Sequence, residues 1–180
     1  MVAPLVGFCG SRSLSDPASK RLVSRVVSSV LASGRSVAVG CALGADALVR
    51  ASAPSASVFR ASSFGGGSRR SPLARRSATL VSTVSSSGPG AGFVGFVSSP
   101  CPADLAPSPS SSRCFRGLGS GSWASLALAA GLGLPVVVFP AGLSPAYLPA
   151  SWGSWAPLSG TWSSGYRLVP VLPPQATLFS

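Results

Sequence analysis

The sequence predicts an α/β fold with a largely parallel sheet. Short apolar, valine-rich runs alternate with segments of helical periodicity four or five times between Leu5 and Pro140. Strands and helices that alternate in this way form parallel sheets, and continuous apolar runs fit strands that are covered on both faces. Several runs end in glycine-bearing turns, where such folds bind their ligands. The 180 residues are enough for one domain with a substantial core.

The first unit combines a buried strand with an amphipathic helix. The apolar run from Leu5 to Cys9 predicts the strand. Asp16, followed by proline, predicts the helix start, since Asp is a good N-cap and proline fits the first turn. Apolar residues then recur at helical spacing from Leu22 to Leu31, and Gly34 ends the helix.

The second unit is shorter. Residues 36–40 (SVAVG) predict a second strand, and the turn at Gly44 opens a helix that runs to about Ser52 with Asp46 in its first turn. Residues 57–60 (SVFR) fit a third strand.

The third part supplies two more strands, and each of them follows a predicted helix. A helix is predicted from Pro72, and residues 92–98 (GFVGFVS) predict a fourth strand. Residues 99–112 are rich in Pro and Ser and read as irregular. A helix over 122–130 and a strand over 134–139 complete the pattern.

The region after Pro140 shows no clear periodicity. It is dominated by Pro, Gly, Ser and Trp, and only residues 166–172 are expected to form an extended segment. We therefore divide the chain into an α/β domain over residues 1–140 and an irregular tail over 141–180 that packs on it.

The composition restricts the possible chemistry. The chain has 14 basic and 3 acidic residues, for a net charge of +11, and it contains no His and no Glu. Residue types whose codons carry A at the second position are scarce as a group, so the basic balance follows either from a nucleotide-level bias or from an anionic partner. A Ser-His-Asp or Cys-His arrangement is excluded, and paired carboxylates would have to come from Asp16, Asp46 and Asp104. We expect no catalytic residues, no metal and no cofactor, and an enzyme is the less favoured class.

Three glycine-bearing turns are the candidate binding elements. They are GSRS at 10–13, GCALGAD at 40–46 and GLGSGS at 117–122, and each ends a strand or opens a helix. Helix N-termini offer free N–H groups and the positive end of a dipole, which suits phosphate. The alternative is that these glycines only allow the chain to turn.

The order and spacing of these turns resemble the SLOG superfamily, which includes the DNA-processing protein A and Lonely Guy phosphoribohydrolase families. The likeness rests on GSR after the first strand, GxAxGAD after the second, and GSGSW before an apolar helix and LPVVVF, over about Leu5 to Pro140. The resemblance implies a Rossmann-like three-layer sandwich that binds a nucleotide or nucleotide-derived ligand in a glycine-lined cleft. The ligand-binding residues that the motifs and their neighbouring arginines indicate are Gly10, Ser11, Arg12, Gly40, Gly44, Asp46, Arg75, Arg76, Gly119, Ser120, Gly121 and Ser122.

The resemblance and residue chemistry together indicate individual roles. Arg12 would pair with a phosphate or carboxylate, and the alternative is a surface salt bridge. Similar proteins carry an arginine near Arg75 and Arg76 that faces the ligand phosphate, so one of the two would do so here, and the alternative is that both are solvated. Asp46 would hydrogen-bond a ribose or base, or would only stabilise the start of its helix. Trp123 is more readily explained by core packing than by contact with a ligand.

Two positions depart from the family pattern. Cys41 stands where the family commonly has a second glycine. Ser125 stands where the phosphoribohydrolase branch has its catalytic Glu, so N-glycosidic hydrolysis of the family type is not expected.

The sequence thus favours a sensor or binding module for a nucleotide or nucleotide-derived molecule. The alternatives are an enzyme acting on nucleoside phosphates through Asp46, and a single-stranded nucleic-acid binder. A surface poor in charge favours a homodimer or higher oligomer. Four cysteines without a CxxC pair are typical of free thiols in a reducing cytoplasm. No apolar stretch is long enough to span a membrane without interruption by charges or turn-forming residues.

Overall fold

The computed structural model describes residues 3–65 and 70–170 and shows an α/β fold. Seven strands form one sheet in the order β3-β2-β1-β4-β5-β7-β6. The strands are β1 (Leu5–Gly10), β2 (Ser36–Gly40), β3 (Ser57–Phe59), β4 (Gly92–Val97), β5 (Val136–Pro140), β6 (Gly153–Pro157) and β7 (Tyr166–Pro170). The first five strands run parallel, whereas β7 pairs antiparallel with both β5 and β6. The predicted, largely parallel α/β sheet is confirmed.

Helices cover both faces of the sheet. In the described part of the chain the helices are α1 (Pro17–Ala32), α2 (Ala45–Ser52), α3 (Arg70–Ser85), α4 (Ser111–Cys114) and α5 (Gly121–Gly131). Alternate residues of a strand point to opposite faces, so Val37 and Val39 pack with α1 and α2, while Ala38 packs with α3 and α5. The two separate cores are those of a sheet between two helical layers, which is compatible with a Rossmann-like sandwich.

The local signals in the first unit are confirmed. Asp16 is the N-cap of α1, and its Oδ1 accepts a hydrogen bond from the Ser19 amide at 2.9 Å. Proline occupies the first turn of the helix. Gly34 follows the last turn with φ +75°, a conformation that glycine adopts without strain.

Several boundaries differ from the sequence prediction. Helix α3 begins at Arg70 and not at Pro72, because a helix accepts proline in its first turn. The region predicted to be irregular contains the single turn α4, and β5 begins at Val136, after Pro135, which has no N–H to donate. Within the described residues, no helix is long and apolar enough to cross a membrane.

Residues 141–170 are more ordered than their composition predicts. They add two strands to the sheet, β7 beside β5 and β6 at the edge. The extended segment predicted over 166–172 is present as β7 over 166–170, and its last two residues lie outside the described part. Strand β6 is a correction, since residues 153–157 (GSWAP) show no strand periodicity and form a strand by pairing with β7.

Candidate functional site

A cleft of about 510 Å³ lies at the carboxyl ends of β1, β2 and β4. Helices α3 and α5 form its walls, with Leu73 and Leu80 from the first and Trp123 from the second. The carboxyl ends of parallel strands are the usual binding edge of such a sheet. The turns around Gly10 and Gly121 both reach this cleft, so the structure brings residues from distant parts of the sequence together.

The third glycine turn places the start of α5 in the cleft. Gly119, Ser120, Gly121 and Ser122 all line it. Ser120 is the N-cap, and its hydroxyl accepts a hydrogen bond from the Trp123 amide at 3.3 Å. The amides of Gly121 and Ser122 donate no hydrogen bond to any residue in the described ranges, as expected for the first turn of a helix. The wall formed by α5 therefore offers two free donors at the positive end of its dipole.

The first glycine turn brings Gly10, Ser11 and Arg12 to the cleft. The Ser11 hydroxyl accepts a hydrogen bond from Ser98 Oγ at 2.7 Å and lies 2.9 Å from Ser13 Oγ. Arg12 is exposed, so its guanidinium lies at the solvent side of the cleft. Its position allows contact with an anion that enters from solvent.

The second glycine turn divides into two parts. Gly40 and Asp46 line the cleft, whereas Gly44 does not. Gly44 has φ +67°, and a Cβ there would overlap the backbone of Ser11 and Arg12. The following amide, that of Ala45, donates to the Ser11 carbonyl at 2.9 Å. Gly44 therefore joins the second turn to the first by close backbone packing.

A buried ion pair joins α2 to α3 at the base of the cleft. Arg76 Nη1 lies 3.1 Å from Asp46 Oδ2, and the two side chains are 8% and 7% exposed. The Ala42 amide also donates to Oδ2, at 3.2 Å. Burial raises the pKa of Asp46 above its ordinary value, while the charges of Arg76 and Arg50 oppose that rise. The contact uses one nitrogen and one oxygen and is not bidentate.

Gly40 makes room for this pair. A Cβ at Gly40 would overlap Arg76 Nη1 and would also crowd Asp46 Oδ2. Arg50 fixes the same turn, with Nη1 donating to the Gly40 carbonyl at 2.7 Å and Nη2 to the Ala42 carbonyl at 3.0 Å. The glycine is therefore required for close approach of side chains that lie far away in sequence.

The two neighbouring arginines of α3 lie in different environments. Arg76 is buried and lines the cleft, whereas Arg75 is exposed and lies outside it. Of the twelve predicted binding residues, the structure thus brings ten to the cleft and leaves Arg75 and Gly44 outside. Trp123 is fully buried and packs edge-on against Trp152, as expected for a core residue, and it also forms part of the cleft wall.

Two side chains in the cleft are unsuited to catalysis. Burial, together with the nearby Asp46 carboxylate, raises the pKa of the Cys9 thiol, so Cys9 is a poor nucleophile. Ser125 is 3% exposed, and its hydroxyl donates to the Gly121 carbonyl at 2.8 Å. Asp46 is the single acidic residue among the described residues that line the cleft. In the described ranges, no three His, Cys, Asp or Glu side chains are grouped so that they could hold a metal ion.

Sequence reasoning missed several residues of the cleft. Ser98 and Ser99 line it, and the signal was present, because they directly follow β4 at the binding edge of the sheet. Phe115 contributes apolar surface from the loop before α5, and so does Leu118, the apolar residue of the third glycine turn, while Cys9 is the last residue but one of β1. No periodic pattern marks the two loop residues.

No family model, curated protein or solved structure matches the chain.

Proposed function

We propose that the cleft binds the phosphate of a nucleotide or nucleotide-derived ligand, and that the chain is a SLOG-type sensor or binding module. The observation that carries this proposal is that the α5 N-terminus and the exposed side chain of Arg12 line one cleft. Two free amides and a dipole end favour an anion, and the Arg12 guanidinium adds a full positive charge. The order of the three turns, the basis of the likeness to the superfamily, supports the same ligand class.

The residue chemistry favours binding over turnover. The family carboxylate is replaced by Ser125, whose hydroxyl is already bonded within α5. Asp46, the remaining acid, has one oxygen engaged by Arg76 and by the Ala42 amide. An enzyme acting on nucleoside phosphates would need Asp46 as general acid or base. Release of base or phosphate from nucleoside monophosphates, abolished in Asp46→Ala, would establish that alternative in place of a binding module.

The proposal is tested at the first amide of α5. Gly121→Pro removes that N–H while keeping a residue that helices accept at their first position. The preceding residue, Ser120, has φ −131° and ψ 106°, which is the extended conformation that proline requires before it. Gly121→Ala is the matched control, because a Cβ at Gly121 meets nothing within 4 Å and the amide remains.

Calorimetry with AMP, ADP-ribose, a cyclic dinucleotide and inorganic phosphate gives the measurement. We expect at least one nucleotide to bind, and Gly121→Pro to weaken it about tenfold or more while Gly121→Ala does not. Arg12→Ala should also weaken binding, because the guanidinium lies at the mouth of the cleft. Absence of binding by every ligand, or equal affinities in the two Gly121 variants, would contradict phosphate recognition at α5.

A further inference from the structure

The ion pair at the base of the cleft has unused hydrogen-bonding atoms. Asp46 Oδ1 and Arg76 Nη2 make no hydrogen bond within the described ranges, since the pair joins only Oδ2 and Nη1. Arg76 Nε is the single buried side-chain nitrogen or oxygen without a partner in those ranges. Oδ1 and Nη2 are therefore not fully buried, and the cleft is the cavity that both residues line. It thus has one free acceptor and one free donor at its base.

The ion pair lies in the same cleft as the start of α5, which is the proposed phosphate position. Cys9 contacts the start of α5, because its thiol donates to the Ser122 carbonyl at 3.5 Å. Cys9, the ion pair and the start of α5 all line the same cleft of about 510 Å³. A single nucleotide-sized ligand in this cleft therefore has access to both the start of α5 and the ion pair.

The chemistry of the pair excludes a second phosphate. A phosphate beside Arg76 would also lie beside the Asp46 carboxylate, and like charges repel. A cationic group would likewise be repelled by the positive charge of Arg76. A hydroxyl is neutral and both donates and accepts, so adjacent hydroxyls can satisfy Asp46 Oδ1 and Arg76 Nη2 together.

The pair is held in place before any ligand arrives. Gly40 packs against it, the Ala42 amide bonds Asp46, and Arg50 fixes the turn between them. Polar groups with fixed positions lose little freedom on binding and discriminate strongly against a ligand that leaves them unpaired. These properties are typical of side chains that determine ligand specificity.

We infer that Asp46 and Arg76 recognise the vicinal hydroxyls of a ribose, so that the cleft selects ribonucleotides over deoxyribonucleotides. The inference rests on the proposed function, because the phosphate at α5 positions the sugar. Asp46 Oδ1 accepts a hydrogen bond from one hydroxyl, and Arg76 Nη2 donates to the other. Neither residue takes part in bond breaking.

The test compares AMP with its 2′-deoxy and 3′-deoxy analogues by calorimetry. On the intact protein, we expect loss of either hydroxyl to weaken binding about tenfold or more, since each bond involves a charged group. The double variant Asp46→Leu/Arg76→Met replaces the pair with apolar side chains of similar size, a change that folds often tolerate. In this variant AMP and its deoxy analogues should bind alike, whereas exposed Arg75→Ala should keep the wild-type preference.

The outcomes separate the inference from the proposed function. If AMP and its deoxy analogues bind the intact protein equally while Gly121→Pro still weakens both, the ribose inference is wrong and phosphate binding stands. If the intact protein discriminates between adenine and hypoxanthine nucleotides and the double variant no longer does, the pair recognises the base. That outcome also overturns the ribose inference. If no nucleotide binds, both the proposed function and the ribose inference are wrong. The comparison of AMP with its deoxy analogues on the intact protein tests the ribose inference even if the double variant does not fold.

Discussion

At the residue scale, the base of the cleft depends on contacts between side chains that are distant in sequence. Arg76 and Asp46 are 30 residues apart, and they meet beside the backbone of Gly40. Each of the three positions limits the others, because Gly40 leaves room for the guanidinium and the carboxylate balances its charge. Single substitutions at these positions should therefore lower the free energy of unfolding by more than the change in side-chain size suggests.

Gly40→Ala should destabilise the protein by about 1–3 kcal/mol, the usual cost of overpacking. The new Cβ overlaps Arg76 Nη1 and forces the ion pair apart. Urea denaturation measures the change. Gly65→Ala is the matched control, because a Cβ at Gly65 has nothing within 4 Å. Equal midpoints for the two variants would show that the pair moves aside at no cost.

Arg76→Met should cost about 3 kcal/mol at neutral pH, because it leaves the Asp46 carboxylate buried without its partner. Asp46→Leu/Arg76→Met should recover most of this loss, since it removes both charges. Urea denaturation of wild type, single and double variants completes the comparison. A double variant less stable than Arg76→Met would contradict the assignment of the cost to an unpaired charge.

The same single variant should show a pH dependence of known sign. Burial already raises the pKa of Asp46 above 3.8, and loss of Arg76 removes a charge that lowers it. A carboxyl with a higher pKa in the folded than in the unfolded state loses stability as pH rises above its ordinary value. The deficit of Arg76→Met should therefore be small near pH 4 and grow toward pH 7, as followed by urea midpoints. A deficit independent of pH would indicate lost packing instead.

At the element scale, the helices have different sources of stability. Helix α5 is buried on almost all sides, with Leu126, Ala127 and Leu128 at 2% exposure or less. Helix α1 buries one stripe of valines and exposes the opposite face. Its start depends on a side-chain cap, so the N-terminal turn of α1 is where a local change should be most visible.

Asp16→Ala should lower the Tm at pH 7, because Asp16 accepts hydrogen bonds from the Ser19 amide and hydroxyl. These bonds hold the pKa of Asp16 below its ordinary value of 3.8. Such a carboxylate contributes stability above that value and loses it as pH falls through its folded-state pKa. The Tm difference from wild type should therefore shrink below pH 3.8. Exposed Asp104→Ala is the control, and an equal Tm loss in both variants would argue against the cap.

At the scale of the whole molecule, residues 141–170 complete the sheet and the core on one face. Strand β7 pairs with β5, and β6 closes the edge. Trp152 packs between Trp123 and Trp155, and its indole N–H donates to the Leu105 carbonyl at 2.8 Å. Trp123 is itself part of the cleft wall, so Trp152 supports that wall from the side away from the cleft.

Trp152→Ala should destabilise the protein by about 3–5 kcal/mol, as expected for deletion of a large buried side chain. Denaturant unfolding measures the change, and Tyr147→Ala, at a side chain 59% exposed, is the control with little effect. If the two variants were equally stable, the tail would not contribute to the core.

The assembly state is the remaining expectation at this scale. The chain is 46% hydrophobic and 9% charged, and Leu43 and Tyr147 are 75% and 59% exposed. We expect a homodimer or larger assembly, because a surface so poor in charge tends to bury one face against a partner. Sedimentation at micromolar concentration measures it, and a monomer throughout that range would contradict the expectation.

Much of the fold could be predicted because its signals are local. The strands up to β5 and the helices α1, α2, α3 and α5 follow from apolar periodicity, Asp16 and the glycines. Strand β6 could not be predicted, since its residues form a strand only by pairing with β7. Likewise, the choice of Arg76 over Arg75 depends on which face of α3 is turned toward the cleft.

The sequence by itself determined the α/β class, the turns that carry the free amides, and the absence of His and Glu from the chain. These depend on residue types and on neighbours within a few positions, which the printed order contains. Only the tertiary structure decided that Gly40, Asp46 and Arg76 form one unit, that Gly44 packs away from the cleft, and that Trp152 supports its wall. Contacts between distant residues are set by the paths of the crossovers and by packing of whole elements, which no local pattern specifies.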